Sequence, residues 1–405
     1  MKTKGRFLAA VLAAVTAVMS LTGCSNPKNG GSSIGTQQLE SQASTPPAAA
    51  SMTTMELVQD MGLGINLGNT FEAVGGSLQG GVSSYEKSWG SPLITRELIA
   101  GYKNEGFGVL RVPVAWSNMM EEDYTIYPEY LTRVHEVVDW ALDAGLYVIL
   151  NIHWDGGWWD GFAEPAKKDA CMTKYTRIWE QLCAEFGEED ERLMFESLNE
   201  EGCWDSIWNH YSTDETGKDT AYGLLYEINT KFVEIVRGAG GHNGTRHLLI
   251  AGYCTDVDCT CDPMFEMPED PENRCAVSVH YYTPSTFCIL EYDADWGKAR
   301  PSWGSPRDEL ELTKNMDKLT ERFVSQGVPV IIGEYGCPHK NKEEASIRKF
   351  VTAVARAALE RDCCPVLWDT TGNFYDRNTC QMTDQTLKEQ LQEILAADQK
   401  QDAAA

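Results

Sequence analysis

The chain has few cations for its size. Among its 405 residues, 34 Lys and Arg stand against 60 Asp and Glu, so the formal net charge is -26. Nucleic acid and anionic lipid surfaces are bound through clustered cations. The composition therefore argues against both as partners, and it is compatible with a neutral polymer.

Three motifs that indicate other classes of protein are absent. No H-x-H ligand pair occurs in the chain, which disfavours a metal-dependent barrel hydrolase built on His153 and His280. No glycine-rich phosphate loop follows the first apolar run, which disfavours a nucleotide-binding sheet. The 13 cysteines form no paired C-x-x-C of a zinc site, although four cluster between residues 254 and 275. We expect no metal and no cofactor, and either disulfides or free thiols in this cluster.

The first residues are typical of an export signal. Basic residues precede an apolar stretch from Phe7 to Met19 that is too short to span a bilayer comfortably. The stretch closes on Leu21-Thr-Gly-Cys24, which resembles the lipobox of bacterial lipoproteins. That resemblance implies a signal peptide over residues 1–23 and lipidation of Cys24, which would be the only contact with a membrane. The alternative is an ordinary secretory signal with an incidental cysteine. In both cases we expect export from a bacterial cell, followed by anchoring at the surface or secretion.

Composition divides the rest of the chain into three parts. Residues 24–52 are rich in small and polar residues without a periodic apolar pattern, which predicts a flexible linker. Residues 53–395 contain no internal linker or repeat and are interpreted as one folded domain. Residues 396–405 are predicted to form a disordered tail. We expect the protein to be a monomer.

Short apolar runs alternate with helical patterns throughout the folded part. The predicted strands are Gly62–Leu67, Gly108–Val112, Tyr147–Ile152, Leu193–Leu198, His247–Ala251, Ala276–Val279, Val328–Ile332 and Pro365–Trp368. Between them, Tyr130–Ala144 and Ala345–Glu360 each have an apolar stripe at helical spacing. Eight apolar strands with helical crossovers predict an α/β fold, the closed (β/α)8 TIM barrel. A doubly wound open sheet is the structural alternative.

Polar residues terminate these strands one after another. The residues at the predicted carboxyl ends are Asn66, Asn69, Arg111, His153, Asn199, Glu200, His280, Tyr282, Glu334 and Trp368. In a TIM barrel these ends form the functional face. Two of the residues are carboxylates, Glu200 and Glu334, and a carboxylate pair is the machinery of glycoside hydrolysis. We therefore predict these two glutamates as the catalytic residues.

Seven segments, in order along the chain, carry a family resemblance. They are Gly64-Ile-Asn-Leu-Gly-Asn-Thr70, Leu110-Arg-Val-Pro-Val-Ala-Trp116, Val148-Ile-Leu-Asn-Ile-His153, Phe195-Glu-Ser-Leu-Asn-Glu200, Val279-His-Tyr-Tyr-Thr-Pro284, Ile332-Gly-Glu-Tyr-Gly336 and Leu367-Trp368. In this order and spacing the sequence resembles the family 5 glycoside hydrolases, which are retaining (β/α)8 enzymes. The resemblance implies that Glu200 is the general acid/base and Glu334 the nucleophile, with carboxyl groups about 5–5.5 Å apart.

The resemblance also implies supporting roles for the other strand-end residues. Arg111 and Tyr282 would favour the ionised form of Glu334, and Asn199 would bond the sugar 2-hydroxyl. The remaining supporting residues are His153 and His280, which would orient groups at the scissile bond, Trp368, which would form a stacking floor, and Asn66. One departure from the family is Glu201, where a proline is common. A carboxylate there either raises the pKa of Glu200 or points outward, and we expect it to point outward.

Tryptophans follow several strands on the predicted catalytic face. We assign substrate contacts to Trp154, Trp158 and Trp204, since a flat indole can cover the apolar face of a sugar ring. The alternative is that loop tryptophans only hold long loops in place. We predict an endo-β-1,4-glucanase of the cellulase type acting on a β-glucan polysaccharide. Xyloglucan, mixed-linkage glucan and mannan are alternative substrates. A surface lipoprotein that binds glycan without cutting it is the alternative of another class.

Overall fold

The computed structural model describes residues 52–202 and 204–402, with side chains described as far as residue 399. The predicted signal peptide, the lipidation site Cys24 and all but the last residue of the predicted linker lie outside the described residues. Apart from residue 203, the predicted folded domain lies within them.

Eight parallel strands form a closed barrel in simple sequence order, with β8 pairing back onto β1. The strands are β1 Gly64–Asn66, β2 Val109–Val112, β3 Tyr147–Asn151, β4 Leu193–Glu196, β5 Leu248–Ala251, β6 Cys275–Tyr281, β7 Val330–Tyr335 and β8 Cys364–Leu367. All eight predicted strands are confirmed, and the TIM barrel is confirmed with them. Closure of the barrel is inconsistent with the open-sheet alternative, because an open sheet would end in two edge strands.

Helices follow or separate the strands along the chain. They are α1 Thr54–Met61, α2 Val82–Glu86, α3 Arg96–Glu105, α4 Pro128–Asp143, α5 Lys168–Glu185, α6 Lys218–Ala239, α7 His242–Thr245, α8 Val257–Thr260, α9 Ser285–Cys288, α10 Pro306–Arg322, α11 Glu344–Leu359 and α12 Gln385–Asp402. The two helices predicted from their apolar stripes are α4 and α11, each displaced by one or two residues. Val134, Val138 and Ala141 of the α4 stripe are fully buried. None of the described helices is long and apolar enough to cross a membrane.

The barrel strands are buried on both faces. Alternate residues such as Val109, Ile149 and Ile331 pack together in one apolar cluster, while their neighbours pack in the larger cluster that includes the helices. Leu57 and Val58 of α1 belong to the first cluster, so this helix closes the amino-terminal end of the barrel. Apolar side chains thus fill the amino-terminal end of the barrel. The polar residues that terminate the strands lie at the carboxyl-terminal end.

The predicted disordered tail is wrong as far as the structure describes it. Helix α12 continues through residue 396 to Asp402. Leu387, Leu391 and Ile394 are buried at helical spacing, so tertiary packing holds this polar-looking segment in a helix. A short hairpin of β9, Tyr375–Asp376, and β10, Gln381–Met382, precedes it.

The cysteine cluster contains both predicted states. Cys254 is disulfide-bonded, whereas Cys259, Cys261 and Cys275 are free thiols.

Candidate active site

Glu200 and Glu334 meet at the carboxyl end of the barrel. Glu334 lies in β7, and Glu200 lies in the loop that follows β4. Oxygens of the two carboxylates and a ring nitrogen of His280 all lie within 4.8 Å of one another. The side chain of Glu334 is 6% exposed and that of Glu200 is 46% exposed. The pair is thus asymmetric: one carboxylate is enclosed by protein, and the other is open to solvent.

Arg111, fully buried in β2, organises the enclosed half of the site. Its guanidinium donates to Oε1 of Glu334 at 2.8 Å, to Oε2 of Glu196 at 2.7 Å, to Oδ1 of Asn66 at 3.0 Å and to Oδ1 of Asn199 at 2.9 Å. A guanidinium can reach four acceptors at once because its five N–H donors form a planar fork. Asn66 is itself fully buried and donates to the carbonyl of Gly333. It therefore supports Arg111 and offers no surface to a ligand.

Glu196 is a site residue that the sequence prediction missed. Its carboxylate is fully buried in β4 and accepts from Arg111, from Asn151 at 3.0 Å and from the Ser278 hydroxyl at 2.8 Å. Arg111 therefore lies between two carboxylates, Glu334 and Glu196. Their negative charges together compensate the cost of burying the guanidinium. A charged residue inside an otherwise apolar strand was a signal for such a role.

Tyr282 and His280 of the β6 end complete the surroundings of the pair. The hydroxyl of Tyr282 donates to Oε2 of Glu334 at 2.9 Å. Nδ1 of His280 lies 2.8 Å from Oε1 of Glu200 and 3.6 Å from Oε2 of Glu334. Nδ1 of His280 therefore lies between the two carboxylates, hydrogen-bonded to Glu200 and close to Glu334.

The two carboxylates are too close to titrate independently. Burial raises the pKa of Glu334 and the neighbouring charge of Glu200 adds to the rise, while His280, Arg111 and the Tyr282 hydroxyl oppose it. Burial also acts on Glu200, but the hydrogen bond and charge of His280 outweigh it and lower the pKa of this carboxyl. The pKa values of the two carboxyl groups are therefore shifted in opposite directions.

His153 and Trp368 form a stacked aromatic pair. Their rings are parallel within 4° with centroids 5.8 Å apart. Burial lowers the pKa of His153 well below its usual value, and the charges of Arg111 and His280 act in the same direction. His153 is therefore a neutral ring beside the half-buried indole of Trp368. Together they form an aromatic wall next to the carboxylates.

The substrate-stacking role predicted for Trp204 is wrong. Its side chain is 3% exposed, and its indole N–H donates to the carbonyl of Trp159 at 3.1 Å. Trp208 and Trp303 are also buried. For these residues the alternative holds: they pack the loops of the catalytic face. Sequence alone could not separate the two cases, because both place tryptophan in a loop.

Trp154 and Trp158 are half-buried in the loop after β3. The Trp158 ring stacks on Trp159 with centroids 4.0 Å apart, and the ammonium of Lys174 lies 4.7 Å from its centroid. Its indole N–H donates to Asp155, a buried carboxyl whose pKa burial raises to about 6. The ring and the N–H of Trp158 are therefore already engaged by neighbouring side chains, although this residue, like Trp154, is partly exposed.

The expectation that Glu201 points outward is also wrong. Its side chain is buried, and its carboxylate accepts a hydrogen bond of 2.6 Å from the backbone N–H of Asn199. Burial raises the pKa of Glu201 well above its usual value, and the charges of Glu200 and Glu196 raise it further. The side chain of Glu201 thus folds back and hydrogen-bonds the backbone of the turn that carries Glu200.

Two groups of described residues bring enough ligand atoms together for a metal ion. One is the site itself, Glu200 with His280 and Glu334, and the other is His135 with Asp139 and Glu189 on the surface. In the second group His135 already bonds Glu189 at 3.1 Å and a further carboxylate, Glu185, at 2.8 Å, and Asp139 lies 3.6 Å away, which accounts for the cluster as ion pairs. The first is accounted for by its internal hydrogen bonds.

A TIM barrel with a close carboxylate pair at the ends of β4 and β7 defines a class, the barrel glycoside hydrolases. The model of the cellulase family, glycosyl hydrolase family 5, matches residues 68–374. The chain therefore belongs to glycoside hydrolase family 5, and it is an enzyme of the cellulase type. The resemblance of the seven segments is confirmed.

Individual relatives cover most of the folded domain. A xyloglucan-specific endo-beta-1,4-glucanase of Bacteroides ovatus is 34% identical over 349 residues, which are 82% of this chain and 68% of that protein. Endoglucanase A of Paenibacillus barcinonensis is 34% identical over 362 residues, 82% of this chain and 86% of that protein. The structure of a broad-specificity endoglucanase from an uncultured bovine rumen ciliate has a TM-score of 0.76 at 33% identity, and covers 85% of this chain and 99% of that one.

Proposed function

We propose that the protein is a retaining endo-β-1,4-glucanase that cuts internal bonds of a β-glucan by double displacement. The observation that carries the proposal is the close, asymmetric pair of Glu200 and Glu334, with oxygens within 4.8 Å. Inverting glycosidases need about 6.5–9.5 Å between carboxyl groups to admit a water, whereas retaining ones need about 5–5.5 Å. The names of the relatives, which include endoglucanases and a xyloglucan-specific enzyme, support the same activity.

In the first step Glu334 attacks the anomeric carbon while Glu200 gives its proton to the departing glycosidic oxygen. Glu200 takes up this proton before the step, because a bound sugar excludes water and low dielectric favours the neutral form of a carboxyl group. His280, whose Nδ1 lies 2.8 Å from Oε1 of Glu200, orients that carboxyl group. With Glu200 neutral, its repulsion of Glu334 disappears. Arg111 and Tyr282 then keep Glu334 ionised for attack.

In the second step a water replaces the leaving group. Glu200, now a carboxylate, takes a proton from the water, and the hydroxide oxygen bonds to the anomeric carbon. The ester bond to Glu334 breaks and its carboxylate is restored. Two inversions at one carbon give a product of retained configuration. The 46% exposure of Glu200 fits its contact with both the leaving group and water.

The supporting residues act through the transition state. Asn199 is fixed by Arg111 with its amide N–H₂ group left to donate to the sugar 2-hydroxyl, a contact that strengthens as charge develops. Trp368, parallel to His153, forms the floor under the sugar at the scissile bond.

The experiment compares wild type with Glu334→Gln and Glu200→Gln on carboxymethyl cellulose. We expect reducing-sugar release to fall by several orders of magnitude for the Glu334 variant. Proton NMR of the fresh product of wild type should contain the β-anomer first. Release by Glu334→Gln at the wild-type rate would reject the mechanism, and absence of release by wild type would favour a protein that binds glycan without cutting it. If the α-anomer appeared first, only the double-displacement mechanism would be rejected, and hydrolysis itself would stand.

The preferred polymer is tested separately. Wild type is assayed on carboxymethyl cellulose, lichenan, xyloglucan and mannan, with viscosity and product length as readouts. We expect an early fall in viscosity, which indicates internal cuts, and the highest rate on an unbranched β-1,4-linked or mixed-linkage glucan. Higher activity on xyloglucan would instead assign the specificity of the Bacteroides ovatus relative.

Export and lipid attachment at Cys24 belong to the same proposal. The motif Leu21-Thr-Gly-Cys24 after an apolar stretch supports it. In a bacterial host, the full chain should incorporate radiolabelled palmitate and fractionate with membranes, whereas Cys24→Ala should not incorporate the label. Absence of label in both would leave a secreted enzyme without an anchor.

A further inference from the structure

A buried cluster of charged residues lies behind the aromatic wall of the active site. Arg377 follows β9 and its guanidinium is fully buried. Asp369, which directly follows Trp368, and Glu72, in the loop after β1, are buried as well. Burial of three ionisable side chains in one place is costly unless they are paired and hydrogen-bonded. The double-displacement steps do not use this cluster.

Arg377 joins the loop after β1 to the loop after β8. Its Nη2 donates to the carbonyl of Gly68 at 2.7 Å and, at 3.4 Å, to the carbonyl of Asp369. Its Nη1 donates to the hydroxyls of Thr70 at 2.8 Å and Ser91 at 2.7 Å. The N–H of Gly68 also donates to the carbonyl of Asp369 at 3.1 Å. One guanidinium thus holds both loops at fixed separation.

The loop after β1 lies against the indole of Trp368, which is the first residue of the loop after β8. A Cβ atom added to Gly68 would lie 3.1 Å from Cζ2 of Trp368 and 2.6 Å from the carbonyl oxygen of Asp369. The glycine backbone therefore lies directly beside the ring. The carboxylate of Asp369 accepts from the backbone N–H groups of Phe374 and Tyr375. These bonds fix Asp369, which directly follows Trp368.

We propose that Arg377 is a positioning residue for the reaction, because its contacts with Gly68 and Asp369 set the orientation of the Trp368 indole. The inference rests on the proposed function only through the role of Trp368 as the sugar floor. A tilt of the indole away from its parallel arrangement with His153, now within 4°, weakens contact with the sugar at the scissile bond. Arg377 itself touches no substrate.

Arg377→Lys is the primary variant. Lysine keeps the positive charge, but its compact ammonium cannot reach two carbonyls and two hydroxyls at once. The matched control is Arg246→Lys. Arg246 is also fully buried and donates to backbone carbonyls, among them Leu193 and Phe186, but it lies at the amino-terminal end of the barrel. Both variants should lose stability, and only the first should lose catalytic efficiency.

The measured quantity is kcat/KM for cellotetraose, with Tm recorded for each variant. We expect a fall of about tenfold for Arg377→Lys, the scale of a lost aromatic contact, and no more than twofold for Arg246→Lys. Trp368→Ala should fall at least as far. If Arg377 acts through Trp368, the double variant should be no worse than Trp368→Ala alone, a non-additivity that general loss of stability does not produce.

Two results would overturn the inference alone: wild-type kcat/KM in Arg377→Lys, or losses that multiply in the double variant. Wild-type kcat/KM in Trp368→Ala would overturn it together with the stacking role in the proposed function. Loss of activity in Glu334→Gln tests the carboxylate mechanism independently of either. Should Arg377→Lys fail to fold, Ser91→Ala, which removes one hydroxyl from the guanidinium, takes its place in the same cycle with a smaller expected loss.

Discussion

Replacement of Arg111 by methionine tests the electrostatic design of the site most directly. Arg111 and Glu196 are fully buried, and Glu334 is 6% exposed. Removal of one partner from a buried ion pair costs about 3–5 kcal/mol of folding free energy, because the remaining charge stays desolvated and unpaired. Here two carboxylates lose the same cation. We expect Arg111→Met to fold with a Tm clearly below that of wild type.

The same change affects catalysis through Glu334 and Asn199. Each loses a hydrogen bond to a charged donor, at 2.8 Å and 2.9 Å. Such bonds are worth about 1.5–3 kcal/mol each, so kcat/KM should fall by about two orders of magnitude or more. Because the charge of Arg111 lowers the pKa of Glu334, its removal raises that pKa. The acidic limb of the pH profile of kcat/KM should then move to higher pH.

The assay is hydrolysis of a soluble glucan across pH, with circular dichroism to measure the folded fraction. Arg246→Met is the matched control, because Arg246 is equally buried but bonds neutral oxygens of the backbone and of Asn243. It should lose stability without a shift of the acidic limb. A folded Arg111→Met enzyme with kcat/KM within threefold of wild type, or an unmoved limb, would refute the reasoning.

Three further predictions concern single groups. Tyr282→Phe removes one donor from Glu334, so the acidic limb of kcat/KM should move upward in pH by less than in Arg111→Met, and an unchanged limb contradicts this. His135 has a pKa raised in the fold, since its bonds to carboxylates outweigh burial; its stabilisation is therefore complete below the unfolded value of about 6.5 and is lost as pH rises through the folded pKa. His135→Gln should accordingly lower Tm more at pH 5.5 than at pH 9, and an equal loss at both would be inconsistent. Glu201 also has a raised pKa, so wild type loses stability as pH rises from the unfolded value of about 4.3 towards the folded pKa. Glu201→Gln should gain Tm over wild type at pH 8.5 relative to pH 5, and calorimetry that finds no such gain disproves a neutral buried Glu201.

Local pattern was sufficient for the scaffold. The eight strands were predictable because a strand buried on both faces is a short apolar run whatever lies beside it, as in Val148–Leu150 of β3. The positions of Glu200 and Glu334 at strand ends followed from the same runs. Helix α12 was not predicted, and its last residues were assigned to a disordered tail, because the packing of Leu387 and Leu391 against the domain, and not the helix propensity of this polar end, decides its length.

Partners across the barrel could not be predicted. Glu196 bonds Arg111, 85 residues away in the chain, and nothing local identifies that pairing. Glu201 and Trp204 were assigned to the surface because loop residues usually are, yet both are buried. The loop that carries them packs back onto the domain. How far it is buried depends on contacts such as the hydrogen bond from Trp204 to Trp159.

The sequence by itself determined the barrel and the family and indicated the proposed catalytic pair, because these depend on apolar periodicity and on residue types at strand ends. Only the tertiary structure decided that Glu334 is enclosed by Arg111 and Tyr282 while Glu200 is half exposed and hydrogen-bonded to His280. It also decided that Arg377 holds two loops beside Trp368. Charge and hydrogen bonding act through space over a few ångströms, and the chain brings those groups together only when the barrel closes.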